Sequence, residues 1–268
     1  MTTRIPIWQV DAFAERPFSG NPAAVCPLDR WLPDDVMLAI AAENNLAETA
    51  FFVRRPDGEL DLRWFTPKTE VDLCGHATLA SGAVILRELE PARTRAVFHT
   101  KSGPLVVERS GDGFALDLPA RPGLRVPIPD SVVDALGARP SAALRSRDVV
   151  VAVFEGAEQV RALVPDLGAV ARLDGVGAVS VTAAGMGRDA DVDFVSRFFA
   201  PSAGVNEDPV TGSAHCMLAP YWAEKLSKEE FRAFQASRRG GEVICRLVGN
   251  RVELEGTCVF YLEGEVQI

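Results

Sequence analysis

The sequence predicts an α+β protein of two similar domains, each with a sheet and one buried helix. The first observation is a long internal repeat. Residues 63–81 and 197–215 both begin with arginine, an aromatic residue, phenylalanine, a small residue and proline. Pro67 and Pro201 are 201 − 67 = 134 positions apart, half of the 268 residues. Two copies of a long repeat indicate two similar domains, because solenoids need about three or more short repeats.

The second observation is that each copy leads into a helix with almost no charge. No charged residue occurs between Ala77 and Leu86, and the second segment stays nearly uncharged from Thr211 to Glu224. A helix that is apolar all round is buried, usually by a surrounding sheet. Pro220 lies inside the second helix, where proline removes one intrahelical hydrogen bond and favours a kink.

The third observation is a series of alternating, β-rich segments that supply the sheets. Strands are expected at residues 5–13, 23–26, 49–53, 59–65, 94–100, 103–109, 114–118, 148–154, 178–183, 192–199, 241–248, 251–255 and 258–267. Helices are expected at residues 31–46, 75–89, 131–136, 157–163 and from 211 onward. The proline-rich segment 119–129 predicts a linker, which divides the chain into residues 1–120 and 121–268. The last strand is a candidate to return to the first domain, since chain termini often lie close together.

The composition excludes several classes of partner. The net charge is −9 and the isoelectric point is about 5.0. Nucleic acids and anionic membranes are disfavoured, because both bind basic surfaces. A small anionic metabolite remains compatible, since a local helix terminus can outweigh a diffuse acidic surface.

The cysteines and the apolar runs predict a cytoplasmic protein. Five cysteines, without a C-x-x-C pair, do not form a disulfide framework or a zinc knuckle. Residues 1–10 have no apolar run of signal-peptide length, and no stretch approaches the roughly 18 apolar residues of a membrane span.

Glu48 is the first candidate for chemistry. It lies at a helix-to-strand junction between apolar neighbours, in Leu-Ala-Glu-Thr-Ala-Phe-Phe. Partial desolvation there would raise a carboxyl pKa toward neutrality, which suits a group that takes and returns a proton. The competing interpretation is a surface glutamate, or one that caps a backbone amide.

The two repeated turns are candidates for anion binding. Cys74-Gly75-His76 and the segment from Asp208 to Ser213 place glycine and small residues at the start of a buried helix. Free N–H groups and the positive end of the helix dipole would point outward there. Plain capping and close packing is the alternative for either turn alone. Their matched positions favour two tips that face one cleft.

Cys74 opens a second mechanism. A cysteine at a helix N-terminus can be a low-pKa thiolate, as in a racemase with one thiol on each side of its substrate. The matching position, 134 residues later, is Asp208, which counts against two thiols. A small buried cysteine is the simpler interpretation. His76 is a candidate substrate contact, whereas His99 and His215 read as strand and helix residues.

No cofactor is predicted. Residues 185–190 formally match G-x-G-x-x-A, but a strand-like segment follows instead of the helix that a dinucleotide site requires. There is no Walker A motif, and no histidine has the spacing of H-E-x-x-H, so neither a nucleotide nor a metal is expected.

Four segments together resemble the phenazine biosynthesis PhzF-like isomerase family. They are VDAF…GNPAAV, NNLAETAFF, RWFTP…LCGHATLA and EDPVTGSAH, spread over most of the chain in the family's order. The resemblance implies the diaminopimelate epimerase-like fold, with two pseudo-symmetric domains, each a curved mixed sheet around a central helix. It also implies a homodimer and proton chemistry without a cofactor.

The resemblance also assigns roles to individual residues. Glu48 matches the family's catalytic glutamate, although Ala47 stands where serine is common and so lacks its hydroxyl. Matches to substrate-holding residues are Gly75, His76, Asp208, Gly212 and Ser213. Asn21 matches the asparagine of the G-N-P turn, and Cys74 completes the candidate binding set.

The expected reaction is an isomerisation in which Glu48 moves a proton within a small carboxylate. The best-known family member acts on a dihydro-hydroxyanthranilate. One alternative is an epimerase or racemase that uses Cys74 with Asp208 or Glu48. The other is a metabolite-binding protein without catalysis.

Overall fold

The computed structural model describes residues 3–268, which form two compact units. Unit 1 contains the described residues up to Leu118 together with Glu255–Ile268, and unit 2 contains Pro119–Leu254. Both units combine strands and helices, which confirms the predicted α+β class. Within residues 3–268, none of the helices has both the length and the apolar character that crossing a membrane requires.

Unit 1 is built from nine strands and two α-helices. They are β1 (Arg4–Ala12), β2 (Asn21–Leu28), α1 (Asp34–Asn44), β3 (Glu48–Arg54), β4 (Leu60–Phe65), β5 (Glu70–Val71), α2 (Gly75–Ala83), β6 (Arg95–Thr100), β7 (Gly103–Ser110), β8 (Gly113–Pro119) and the C-terminal β18 (Cys258–Gln267). The predicted helix at 75–89 is α-helical to Ala83 and continues as a π-helix over Val84–Leu89.

Unit 2 contains the remaining elements. They are β9 (Leu124–Val126), α3 (Asp130–Leu136), β10 (Ala142–Ser146), β11 (Val149–Val153), α4 (Ala157–Ala162), α5 (Leu167–Ala171), β12 (Ala178–Ala184), β13 (Phe194–Ala200), β14 (Val205–Asp208), α6 (Gly212–Leu226), β15 (Glu230–Gln235), β16 (Gly241–Val248) and β17 (Arg251–Gly256), which ends in unit 1. The sequence did not predict β5, β9, β10, β14, β15 or α5.

The two units have the same strand order, so the fold is pseudo-symmetric. In unit 1 the sheet runs β18–β1–β2–β3–β4–β6–β7–β8, in which only β2/β3 and β4/β6 are parallel. Unit 2 runs β9–β10–β11–β12–β13–β15–β16, in which only β11/β12 and β13/β15 are parallel. The short strands β5 and β14 pair with β4 and β13. The repeat in the sequence is therefore a repeat of topology.

The predicted central helices are buried. All nine residues of α2 are buried, and it packs against β1, β2, β3 and β7. Contact with β7 is close at Gly82, where an added Cβ would come within 2.3 Å of the Val107 side chain. In α6 the residues from Ala214 to Ala219 are buried together with Trp222. The burial of both helices explains why their sequence segments contain almost no charged residues.

Pro220 lies inside α6 without ending it. Proline cannot donate to the carbonyl four residues earlier, which belongs to Cys216. That carbonyl accepts a hydrogen bond from the backbone N–H of Arg121 at 2.9 Å. The helix therefore continues to Leu226, because a neighbouring segment of unit 2 satisfies the carbonyl that proline leaves without a helical donor.

The repeated arginines stabilise the corresponding hairpins in each unit. Arg63 binds Glu70 through Nε and Nη2, at 2.8 and 2.9 Å, and lies over the Phe65 ring. Arg197 binds Glu207 through the same two nitrogens, at 2.7 and 3.1 Å, and lies over the Phe199 ring. A bidentate pair needs the planar fork of arginine, which explains the residue type in both copies.

Candidate active site

Glu48 follows a sharply ended helix. Helix α1 stops at Asn44, and Asn45 adopts a left-handed backbone with φ 50°, a conformation that asparagine tolerates. The Asn44 side chain donates to the Thr49 hydroxyl, which ties the helix end to β3. Glu48 is the first residue of β3 and pairs in register with Ala23 of the parallel strand β2. These contacts fix the Glu48 backbone at the edge of the unit 1 core.

The Glu48 carboxylate meets His76 of α2. Oε2 of Glu48 lies 3.2 Å from Nε2 of His76, and the two side chains are only 15% and 5% exposed. Both atoms are buried, yet they do not align as a hydrogen bond. Two polar atoms in this relation are placed to share a ligand or a proton.

The other ring nitrogen of His76 contacts two more predicted residues. Nδ2 of Asn21, a fully buried residue at the start of β2, lies 3.1 Å from Nδ1. Sγ of Cys74, the N-cap of α2, lies 3.5 Å from the same Nδ1. When the imidazole is neutral and the Asn21 amide donates to it, Nδ1 is the acceptor and Nε2 carries the ring proton toward Glu48. The structure thus brings Asn21, Glu48, Cys74 and His76 together in unit 1.

The electrostatics of this cluster weaken the thiolate hypothesis. Burial and the negative charge of Glu48 raise the pKa of the Cys74 thiol to about 11, so it holds its proton at neutral pH. Burial also opposes a charged imidazole at His76. Contacts with Cys74 and with the Glu48 carboxylate outweigh that penalty and raise the pKa of His76 well above its usual value.

The first turn of α2 keeps two amides available. The N–H of Thr78 donates to the Cys74 carbonyl, as does the Thr78 hydroxyl. Within residues 3–268, the N–H groups of Gly75 and His76 have no hydrogen-bond acceptor. They lie at the positive end of the helix, next to the cluster.

In unit 2, Asp208 and Thr211 form a hydrogen-bonded turn at the start of α6. Asp208 ends β14, and the Thr211 hydroxyl donates to its Oδ2. The backbone carbonyl of Thr211 accepts from the amides of Ala214 and His215. In the part of the chain that the structure describes, the Gly212 and Ser213 amides have no acceptor. This tip thus offers two adjacent N–H groups beside a carboxylate.

Gln235 organises this turn, and the sequence analysis missed it. Its Oε1 accepts from the Thr211 N–H at 2.9 Å, and its Nε2 donates to the Asp208 carbonyl and the Thr211 hydroxyl at 2.7 and 3.0 Å. Gln235 is fully buried on the apolar face of β15. The sequence does place Gln235 in alternation with the apolar residues Phe231 and Ala233, which indicates a buried side chain. A buried glutamine needs hydrogen-bond partners, so this pattern could have identified it.

The two remaining histidines, His99 and His215, have partners of their own. His99 of β6 pairs with Glu59. His215 is fully buried in α6, and its Nδ1 lies 2.8 Å from the Thr211 carbonyl. Burial lowers the pKa of His215 to about 4, so its imidazole is neutral. One group in unit 1 has the donor set of a metal centre, since ligand atoms of Glu48, Cys74 and His76 all lie within 4.8 Å of one another.

Comparison with known proteins finds relatives that match nearly the whole chain. An uncharacterized isomerase of Pseudomonas aeruginosa is 49% identical over 266 residues, covering 98% of this chain and 99% of the relative. The phenazine biosynthesis-like domain-containing protein of Homo sapiens is 39% identical and covers 97% of this chain and 98% of its own length.

Solved structures of related proteins have the same fold as this chain. A PhzF-family phenazine biosynthesis protein of Enterococcus faecalis matches with a TM-score of 0.93 and 44% identity, covering 99% of this chain and all of that chain. A probable proline racemase of Agrobacterium radiobacter, at 12% identity and a TM-score of 0.64, shares the fold. The model of the phenazine biosynthesis-like protein family matches residues 10–121 and 128–264. The chain therefore belongs to the phenazine biosynthesis-like, or PhzF-like, family.

Proposed function

We propose that this protein is an isomerase that moves a proton within a small carboxylate-bearing metabolite without a cofactor, with Glu48 as the single acid and base. The observation that carries the proposal is the Glu48–His76 pair, 3.2 Å apart and largely buried at the first turn of α2. Isomerase names among close relatives support the reaction class.

In this mechanism the Glu48 carboxylate removes a proton from a carbon next to an activating group. It then returns the proton to another carbon of the same molecule, so no net proton is gained or lost. Nε2 of His76 donates to the negative charge that develops on the substrate, and Asn21 orients the imidazole through its contact with Nδ1. The amides of Gly75 and His76 add positive potential at the same point.

Binding of the substrate carboxylate is assigned to unit 2. The amides of Gly212 and Ser213 at the start of α6 hold the carboxylate, Asp208 orients other polar groups of the substrate, and Gln235 holds that turn in shape. Cys74 helps to shape the site in unit 1 and makes a weak contact with the substrate. Adjacent N–H groups at a helix start suit a carboxylate.

Two other functions are weighed against this one. An epimerase that uses Cys74 needs a thiolate, and burial raises the pKa of that thiol to about 11. A metabolite-binding protein without catalysis could retain the fold, because fold alone does not determine function. The acid–base pair favours catalysis over simple binding.

We also propose a cytoplasmic homodimer. All five cysteines are free, which fits a reducing compartment. Light scattering of the purified protein should give twice the mass of one chain. A single-chain mass would contradict the dimer.

Solvent deuterium exchange tests the function. Wild-type protein is incubated in D₂O with carboxylate metabolites, beginning with dihydro-hydroxyanthranilate, and deuterium in the product is measured by mass spectrometry. Glu48→Gln should abolish incorporation, whereas Cys74→Ala should reduce it only mildly. If Cys74→Ala abolished incorporation and Glu48→Gln reduced it only mildly, the cysteine-dependent epimerase would be supported. Ligands that stabilise the wild-type protein thermally but never exchange would support a binding protein.

A further inference from the structure

Two buried polar atoms of unit 1 face each other without a hydrogen bond. Oε2 of Glu48 and Nε2 of His76 are 3.2 Å apart, and neither has a hydrogen-bond partner among residues 3–268. Buried polar atoms are nearly always satisfied, so such a pair points to a ligand that contacts both.

The distance between these atoms suits two ligands of one metal ion. Tetrahedral zinc with bonds of about 2.0 Å to oxygen and about 2.1 Å to nitrogen separates those ligands by roughly 3.3 Å. Cys74 supplies a third donor, since one ligand atom from each of Glu48, Cys74 and His76 lies within 4.8 Å of the others. Its Sγ lies 3.5 Å from Nδ1, so the Cys74 side chain would turn toward Nε2 to complete the set. Sulfur, nitrogen and oxygen together are a donor set that zinc and cobalt accept.

Asn21 is placed to support such a site. A metal-binding imidazole usually donates its second N–H to an oxygen, which fixes the ring and raises its basicity. Asn21 lies 3.1 Å from Nδ1 through its amide group. Turning that amide by half a rotation would present its oxygen to an Nδ1–H and leave Nε2 for the metal.

The charges of the site also balance. The positive end of α2 opposes a cation at this point. A thiolate and a carboxylate together neutralise the two charges of Zn²⁺ and offset that effect. Binding of the metal ion therefore releases the proton of the Cys74 thiol. If the imidazole is protonated on both nitrogens, the proton on Nε2 is released as well.

We propose that Glu48, Cys74 and His76 form a binding site for a divalent transition-metal ion, and that the bound ion inhibits the enzyme by occupying its acid–base group. The binding half stands on the geometry alone. The inhibitory half rests on the proposed function. The fourth position would be taken by water or by a substrate oxygen.

Metal titration of the untagged, full-length protein tests the site. Zn²⁺ is followed by calorimetry, and Co²⁺ by the thiolate-to-cobalt charge-transfer absorption. We expect one ion per chain and a charge-transfer band for the wild-type protein. Cys74→Ala should abolish the band and weaken Zn²⁺ binding at least tenfold, and Glu48→Gln should weaken Zn²⁺ binding as well.

Two matched variants control for other sites. Cys258→Ala removes another buried cysteine of unit 1, and His99→Asn disrupts the other histidine–glutamate pair of that unit. Both should leave the band and the affinity unchanged. Thermal unfolding of each variant without metal checks that the fold is retained, and Glu48→Gln serves if Cys74→Ala does not fold.

Absence of Zn²⁺ binding to the wild-type protein, or wild-type Zn²⁺ affinity in both Cys74→Ala and Glu48→Gln, would overturn the metal site. Deuterium exchange that continues with Zn²⁺ bound would overturn the inhibition. If Zn²⁺ binds as expected but the wild-type protein catalyses no exchange, the proposed isomerase fails and the metal site stands.

Discussion

Arg197 makes the same paired contacts with Glu207 that Arg63 makes with Glu70, so the two units share a bidentate ion pair at equivalent hairpins. Arg197 also donates through Nη1 to the carbonyls of Val160 and Leu163, at the end of α4. The repeat in the sequence therefore encodes a structural contact in each unit, separate from the candidate chemistry.

Replacing Arg197 by lysine should destabilise the protein. A single ammonium cannot keep the bidentate pair and the α4 carbonyls together, and this arginine side chain is only 12% exposed. We expect a loss of about 2 kcal/mol in the free energy of unfolding, measured by urea denaturation. Arg4→Lys, at an exposed ion pair with Glu265, should cost less than about 0.5 kcal/mol. Equal losses in both variants would contradict this account.

Gly82 should tolerate no side chain unless Val107 is shortened. An added Cβ would approach the valine side chain to 2.3 Å, so Gly82→Ala should cost about 1–3 kcal/mol. Combining it with Val107→Gly, which also removes the Val107 Cβ at 2.5 Å, should recover part of that loss in a double-mutant cycle. The control is Gly264→Ala in β18, where the nearest atom lies 3.9 Å away. Additive losses would show that the two residues do not clash.

Gln235→Met should disturb the Asp208–Thr211 turn. The variant leaves the Thr211 N–H and the Asp208 carbonyl without the glutamine and should cost about 1–3 kcal/mol in stability. It should also raise the KM for the substrate more than it lowers kcat, because the turn is assigned to binding. Gln159→Met, which removes a glutamine that accepts from the Glu155 and Gly156 amides, should leave KM unchanged. An unchanged KM in Gln235→Met would contradict the assignment.

His215 should make the protein sensitive to mild acid. Its pKa is about 4 in the folded state and about 6.5 in the unfolded chain, so the unfolded state binds the proton first as the pH falls. Its contribution is fully present above pH 6.5 and is lost between about pH 6.5 and 4, up to about 3 kcal/mol. The slope of unfolding free energy against pH in this window should flatten in His215→Leu. The same slope in the wild-type protein and in His215→Leu would contradict this role of His215.

The elements that the sequence predicted well are those whose pattern depends on burial alone. The uncharged segments around Leu79 and Leu218 identified both buried helices, and alternation identified most long strands. The short strand β10 was missed because its five residues give too brief an alternation, and β15 because Glu230 and Arg232 mask its apolar face. The π-helix after Ala83 has no signal in hydrophobic periodicity.

For the candidate site, the sequence identified residue types but not their contacts. The grouping of Asn21, Glu48 and His76 depends on which strands are neighbours, and β2 and β3 are parallel, with α1 between them along the chain. Local patterns do not encode that pairing. Gln235 was missed for the same reason, since its partners Asp208 and Thr211 lie in a different element.

The most direct test of the central claim compares deuterium exchange by Glu48→Gln with exchange by Glu43→Gln, whose glutamate is exposed on α1. The substrate is any metabolite that the wild-type protein labels in D₂O. A general acid–base group contributes about 10²- to 10⁴-fold, so Glu48→Gln should lower the exchange rate by at least about 100-fold, whereas Glu43→Gln keeps the wild-type rate. Wild-type exchange by Glu48→Gln would contradict the assignment of Glu48 as the acid and base.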